Sequence, residues 1–272
     1  MTARAQRVLT AAVAIPFVFA MFWLFDRYQV DWGACLFMSA VALVAGWEYL
    51  NLVGRLGIPL PRELFMFAIP AYLMLLVPWG GQYALVLAWG VVYLIVTYSF
   101  FRRGVREGFY ASLAGIFGFL YIPLTFSFLY LLYKAGFPYV AHFLLIVWGY
   151  DAGAYLLGSA IGRHQLLPRI SLAKTWEGVA GGMILAVVGA ALLPKFWEDF
   201  PRWLPHIVAL GVFVGVFCQL GDLFESLVKR AAGAKDSGRA LPGHGGMLDR
   251  LDSILAALPV YYFYMHFILN LI

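Results

Sequence analysis

Charge is scarce in this sequence. Asp, Glu, Lys and Arg make up 12% of its 272 residues and hydrophobic residues 63%, whereas a soluble domain is roughly a quarter charged and about half apolar. That balance excludes an ordinary soluble enzyme, and the apolar runs leave no room for a separate soluble domain. Cysteine is scarce too: Cys35 and Cys218 both lie inside apolar runs, so no disulfide framework is expected. The chain has no Walker A loop, G-x-x-x-x-G-K-[ST], and no H-E-x-x-H pair, which sets aside those two phosphate and zinc chemistries. It has no repeat of fixed period, which counts against a transporter built from inverted repeats.

What is present is a succession of apolar runs, each near the ~20 residues that cross a bilayer as a helix. They fall at 8–25, 31–53, 62–79, 82–101, 110–134, 139–160, 176–194, 205–229 and 251–271. The expected fold class is therefore all-α, a polytopic integral membrane protein of about nine transmembrane helices. No small-residue cleavage site precedes Asp26, so the first run reads as a retained helix rather than a signal peptide. Pro70 and Pro78 make the third span the weakest of the nine.

Loop charge orients the spans, because Lys and Arg accumulate on the cytoplasmic side. With the N-terminus in the cytoplasm, the inner segments hold Arg4, Arg7, Arg55, Arg62, Arg102, Arg103, Arg106, Arg163, Arg169, Lys174, Lys229, Arg230, Lys235, Arg239 and Arg250. Only Arg27, Lys134, Lys195 and Arg202 fall outside. The net charge of +5 is thus a property of the inner loops and calls for no nucleic-acid partner. Residues 1–138, with short loops and uniform spans, read as scaffold. Residues 139–272, where acids and bases enter the spans, read as the region that carries chemistry.

Three polar clusters stand out there. Asp151, in "DAGAYLLG", lies about 18 Å along the sixth span, at a depth where a carboxylate costs a few kcal/mol and is a functional candidate; a helix-packing hydrogen bond would also account for it. Ser171, Lys174, Thr175 and Glu177, in "RISLAKTWEGVAGG", begin the seventh span, either capping that helix or using its N-terminus to receive an anion. In "CQLGDLFESLVKR", Gln219, Asp222, Glu225, Ser226, Lys229 and Arg230 recur at helical spacing as one polar stripe that needs a cavity or a partner. Glu48, near the inner end of the second span, is expected to pair with Arg55 or Arg62.

The loop after the third cluster, "AAGAKDSGRALPGHGGMLDRLD", carries glycines at 233, 238, 243, 245 and 246, which permit a tight, left-handed-tolerant path. Asp249 and Asp252 are i and i+3 on the last helix and project to one side, although Asp249 would also serve as its cap. If the loop folds back, Asp222 and Asp249 form an oxygen-rich site suited to magnesium bound with phosphates, with Asp252 or Glu225 as further ligands and room for a second cation. Lys229, Arg230, Lys235, Arg239, His244 and Arg250 would surround it with positive charge, which is what phosphoryl and nucleotidyl transfer require. Attraction to anionic headgroups would explain the bases but not the interleaved acids.

Ser226 to Asp252, "SLVKRAAGAKDSGRALPGHGGMLDRLD", resembles the signature of the phosphatidate cytidylyltransferases (CDP-diacylglycerol synthases): S-x-x-K-R, four residues, K-D, a glycine-containing spacer, and H-G-G-x-x-D-R-x-D. The resemblance extends upstream through "GDLFES", "SLAKTWEG" and "DAGAY", covering about Asp151 to Asp252. One departure is visible: where the family commonly has S-P-K-K-T-x-E-G, Leu172 and Ala173 remove one turn and one positive charge, leaving Lys174.

The resemblance implies a magnesium-dependent enzyme of phospholipid biosynthesis that transfers the cytidylyl group of CTP to phosphatidic acid, giving CDP-diacylglycerol and pyrophosphate. It implies Asp222, Lys229, Arg230, Lys235, Asp249 and Arg250 as catalytic residues, and Asp222 and Asp249 as ligands of Mg2+. It places Asp151, Ser171, Lys174, Thr175, Glu177, Ser226, His244, Gly245 and Gly246 at the substrates. The expected partners are CTP, phosphatidic acid, the bilayer and a second copy of the chain as a homodimer, with the site on the cytoplasmic face of the cell membrane. The alternative is a cation-coupled secondary transporter using Glu48, Asp151 and Asp222. A CDP-alcohol phosphotransferase is set aside because its D-G-x-x-A-R and spaced D-x-x-x-D elements are missing.

Overall fold

The computed structural model describes residues 3–197, 200, 202–240 and 245–272, with side chains from residue 12 onward. Candidate residues His244 and Gly243, and the side chains of Arg4 and Arg7, lie outside the described residues. Ten α-helices dominate, and a short antiparallel hairpin is the one addition to the all-α expectation among the described residues.

The helices follow hydropathy closely. α1 (Ala3–Tyr28), α2 (Asp31–Arg55), α3 (Arg62–Trp79) and α4 (Ala84–Arg102) come first. α5 (Val105–Phe119) and α6 (Thr125–Ala135) form one rod interrupted by a π-turn at Leu120–Leu124. Pro123 lies in that turn and has no N–H to give the regular ladder, which accounts for a break there. α7 (Phe137–Ile161), the hairpin strands β1 (Gln165–Leu167) and β2 (Ser171–Thr175), α8 (Trp176–Leu192), α9 (Leu204–Ala231) and α10 (Leu248–Phe263) complete the chain.

Among the described residues, 8 helices are long and apolar enough to cross a membrane. They coincide with the second to ninth expected spans, and the first expected span falls on α1. α3 runs unbroken past Pro70, since helices in apolar surroundings keep a proline that neighbouring groups compensate. α4 leaves Leu85, Val86, Trp89, Tyr93 and Leu94 exposed, an apolar face fitted to hydrocarbon rather than water. The protein is an integral membrane protein.

The chain divides into two packed units, Met1–Lys134 with Val228–Leu251, and Ala135–Leu227 with Asp252–Ile272. In the first, α2 supplies much of the interior: Ala34, Cys35, Met38, Ala42, Ala45 and Leu52 are buried at near-helical spacing. Tyr49 reaches from α2 to donate to the Ala114 carbonyl of α5 at 2.7 Å, satisfying a hydroxyl that apolar packing would otherwise strand. Lys134, at the end of α6, pairs with Asp31 at the start of α2 at 2.9 Å, so those two helix ends lie on the same side.

In the second unit α7 and α8 touch through their backbones. A side chain at Gly153 would run into the Gly181 carbonyl, and one at Gly149 would come 2.8 Å from the Leu185 carbonyl. Small residues let helices approach where lipid offers no hydrophobic drive to press them together. His142 bridges three helices from full burial, bonded to Tyr261 Oη of α10 at 3.0 Å and to the Ala190 carbonyl of α8 at 3.0 Å.

Candidate active site

Among the described residues, the candidate residues fall into two clusters, one in each unit. In the second unit the anchor is Thr175, whose extended backbone ends β2 and whose Oγ1 accepts the Gly178 N–H at 3.1 Å. That N-cap starts α8 where the sequence turns apolar. Glu177 is occupied nearby: it accepts from the Arg163 and His164 amides at 3.2 and 3.3 Å and sits 2.6 Å from His164 Nδ1, tying the start of the hairpin to the start of α8. Ser171 to Thr175 therefore form a strand, not the first turn of a helix, and Trp176 begins the helix. The pairing of Gln165 with Thr175 and Leu167 with Ser171 holds this strand.

β2 delivers Lys174 to α9. Its Nζ lies 2.5 Å from Asp222 Oδ2, with the lysine largely buried and the aspartate partly open. Glu225, one turn on, is 1% exposed, and Asp252 of α10 is 7% exposed. One ligand atom each from Asp222, Glu225 and Asp252 lies within 4.8 Å of the others. α10 approaches α9 this closely because Gly221 has no side chain: a methyl there would come 2.6 Å from the Ala256 Cβ and meet the Asp252 carbonyl. Ser253 holds the neighbouring acid, donating to Asp151 Oδ1 at 3.3 Å, and its own amide donates to Asp252 Oδ1 at 2.8 Å. Tyr150 donates to Gln219 Oε1 at 2.9 Å on the same side of α9. Ser226 is half-buried on α9.

Three carboxylates gathered this closely, two of them buried, repel one another unless a proton or a metal cation neutralises them. Oxygen-only donors of this kind suit a hard divalent ion. The set fits a metal, and Lys174 supplies one of the compensating charges from the protein itself.

The first unit holds the second cluster, at the neck of the polar loop. α9 ends in a Schellman motif: Gly233 has φ +63°, the Ala234 amide donates to the Lys229 carbonyl at 2.8 Å, and the Gly233 amide to the Arg230 carbonyl at 3.1 Å. Lys229 Nζ reaches Asp249 Oδ1 at 2.5 Å, with both side chains mostly buried. Asp249 Oδ2 accepts from the Ser237 amide at 2.9 Å, the Ser237 hydroxyl at 2.9 Å and the Gly246 amide at 2.8 Å. Gly245, at φ +82°, makes the turn that brings Gly246 round. Lys235, Arg239, Arg250 and Arg230 are exposed around this neck.

The expected salt bridge from Glu48 to Arg55 or Arg62 does not form. Glu48 is 3% exposed, and its Oε2 accepts from the Leu248 amide at 2.8 Å and the Ser237 hydroxyl at 3.0 Å, while Arg62 lies over the Trp47 ring. Ser237 and Ser253 were missed by sequence reasoning. Their only signal was position, inside the K-D spacer and one residue past Asp252.

The fold and clusters define a helical membrane protein whose spans and one polar loop carry carboxylates matched to lysines and backbone donors. The chain belongs to the cytidylyltransferase family, whose sequence model matches residues 5–268. It is similar to the phosphatidate cytidylyltransferase of Haemophilus influenzae, 33% identical over 97% of this chain and 99% of that protein. The phosphatidate cytidylyltransferase of Bacillus subtilis is 32% identical over 95% and 96% of the two chains, and that of Staphylococcus haemolyticus 33% over 83% and 86%.

Proposed function

We propose that this protein transfers the cytidylyl group of CTP to phosphatidic acid, producing CDP-diacylglycerol and pyrophosphate. Full-length similarity to enzymes of that name supports the reaction. The observation that carries the site is the carboxylate trio Asp222, Glu225 and Asp252, with Lys174 on Asp222, in a chain of this family. The relatives named above are enzymes, and the transporter reading finds no support in them.

In the proposed reaction an oxygen of the lipid phosphate attacks the α-phosphorus of CTP. A new P–O bond forms, the bond from the α-phosphorus to the oxygen bridging to the β-phosphate breaks, and pyrophosphate leaves with that oxygen. A phosphomonoester is already largely ionised near neutral pH, with a second pKa of about 6, so no strong general base is needed. His244 is accordingly assigned a hydrogen bond to phosphate and not proton abstraction.

Magnesium is the cation proposed for Asp222, Glu225 and Asp252; when bound it would neutralise charge developing on the transferring phosphoryl and the leaving pyrophosphate. Asp249, expected beside Asp222 as a metal ligand from the sequence, is kept among the proposed metal residues on its place in the loop and in the signature. Lys229, Arg230, Lys235 and Arg250 are assigned to the phosphates of the two substrates, and Asp151, Ser171, Lys174, Thr175, Glu177, Ser226, Gly245 and Gly246 to their binding. Of these, Thr175 and Glu177 act by building the start of α8, which sets Lys174. We place the site on the cytoplasmic face, residues 139–272 carrying most of the chemistry and 1–138 most of the scaffold, in a homodimer.

The test is pyrophosphate release by purified protein in detergent. Release that requires CTP, phosphatidic acid and magnesium together, and collapses in Asp222→Asn and Asp249→Asn, is the expected result. Well-folded protein that releases none overturns the reading.

A further inference from the structure

Glu48 lies far from the signature in sequence and in a region read as scaffold, yet its carboxylate is built into the polar loop. Oε2 takes the Leu248 amide, at the first residue of α10, and the Ser237 hydroxyl. Ser237 contacts Asp249 three times: its amide and hydroxyl face Oδ2 at 2.9 Å, and the Asp249 amide points back at its Oγ at 3.2 Å. A hydroxyl has one hydrogen, so the carboxylates of Glu48 and Asp249 share a single donor in Ser237. The orientation of Asp249 is thereby linked to a side chain on α2.

The loop's glycines give an independent observation. Gly238 and Gly246 do not have the positive φ that Gly233 and Gly245 have, so backbone freedom does not explain them. Space does: a Cβ on Gly238 would collide with Glu48 Oε1, and one on Gly246 with Glu48 Oε2 and Ser237 Oγ. Two glycines thus leave room for this carboxylate.

We infer that Glu48 is a positioning residue for the reaction, holding Ser237 and the start of α10 so that Asp249 keeps its setting. This rests on the proposed cytidylyl transfer for its kinetic readout but not for its structural one. Glu48 does not touch the substrates in this assignment; it acts through Ser237 and the Leu248 amide.

The experiment uses the full chain in detergent with Glu48→Leu, Glu48→Gln, Gly238→Ala and, as control, the exposed Glu63→Gln. Amide hydrogen exchange across the loop is measured without substrate, and turnover with CTP and phosphatidic acid separately. Glu48→Leu should speed exchange at Leu248 and Asp249 by about tenfold or more, the signature of a lost local restraint. It should lower kcat by about thirtyfold or more while KM for phosphatidic acid stays within about twofold, the pattern of misplaced catalytic groups rather than lost binding. Glu48→Gln, which keeps one acceptor oxygen, should fall between, and Glu63→Gln should match wild type. If Glu48→Leu does not fold, Gly238→Ala probes the same contact from the loop side and should show the same exchange change. Wild-type exchange and kcat in folded Glu48→Leu, or wild-type exchange in Gly238→Ala, overturn the assignment. Wild-type protein that does not turn over would overturn the reaction instead, leaving exchange to decide the role of Glu48.

Discussion

Lys229 Nζ and Asp249 Oδ1 are 2.5 Å apart, and this pair closes the neck of the polar loop, joining the last turn of α9 to the first turn of α10. Because both side chains are mostly buried, losing one partner leaves the other as a charge that water cannot reach. Lys229→Met should therefore lower stability by about 3 kcal/mol, in the range for breaking a buried pair, as well as abolish turnover. Thermal unfolding in detergent, with Arg230→Met as the exposed comparison, checks the stability half. Equal melting of the two variants would contradict the buried-pair account.

A cation entering the acidic trio would compete with Lys174, whose ammonium sits on the carboxylate of Asp222. Removing it should raise divalent-cation affinity at Asp222, Glu225 and Asp252 several-fold, because the ion no longer displaces a resident charge. Turnover should fall at the same time. Titration of Lys174→Ala with Mn2+, followed by its paramagnetic resonance signal, measures the first effect; weaker binding than in wild type would remove the metal from this trio.

The α7 and α8 seam has no room for a methyl. Gly181→Ala places one 2.6 Å from the Gly153 carbonyl and 2.7 Å from Leu157. Backbone cannot yield as a long side chain would, so the expected cost is about 1–3 kcal/mol. Gly90→Ala is the matched control, because nothing lies within 4 Å of that position. A melting temperature lowered in the first and unchanged or slightly raised in the second, where alanine is the better helix former, is the expected pair of results.

His142 should prove structural. His142→Phe keeps the ring and leaves the Tyr261 hydroxyl and the Ala190 carbonyl without the imidazole, a loss of about 1–3 kcal/mol. Activity per folded molecule should stay near wild type. A large fall in kcat without a fall in stability would instead make this histidine part of the reaction.

The spans were legible because a bilayer imposes length and apolarity together, and α2 to α10 fall where hydropathy put them. Asp222, Glu225 and Asp252 were legible for a similar reason: acids at helical spacing in an apolar chain have few uses. The β1 and β2 hairpin was not, since three and five residues of mixed polarity carry no periodic signal and Ser171 to Thr175 read equally well as a cap. Glu48 was misjudged because Arg55 and Arg62 were its neighbours in sequence, whereas its partners are the Leu248 amide and a serine 189 residues away. A backbone amide leaves no mark in a sequence, so half of that contact was invisible at any separation.

The fit of Gly238 and Gly246 around the Glu48 carboxylate makes three positions answerable to one another across most of the gene. A lineage that shortened Glu48 would remove the clash that opposes alanine at Gly238, though alanine at Gly246 would still meet Ser237 Oγ, while one that first gained alanine at 238 would have no place for the carboxylate. The order in which such changes arise therefore decides which are tolerated. In a library that varies all three positions, alanine at 238 should be recovered chiefly alongside a shortened residue 48.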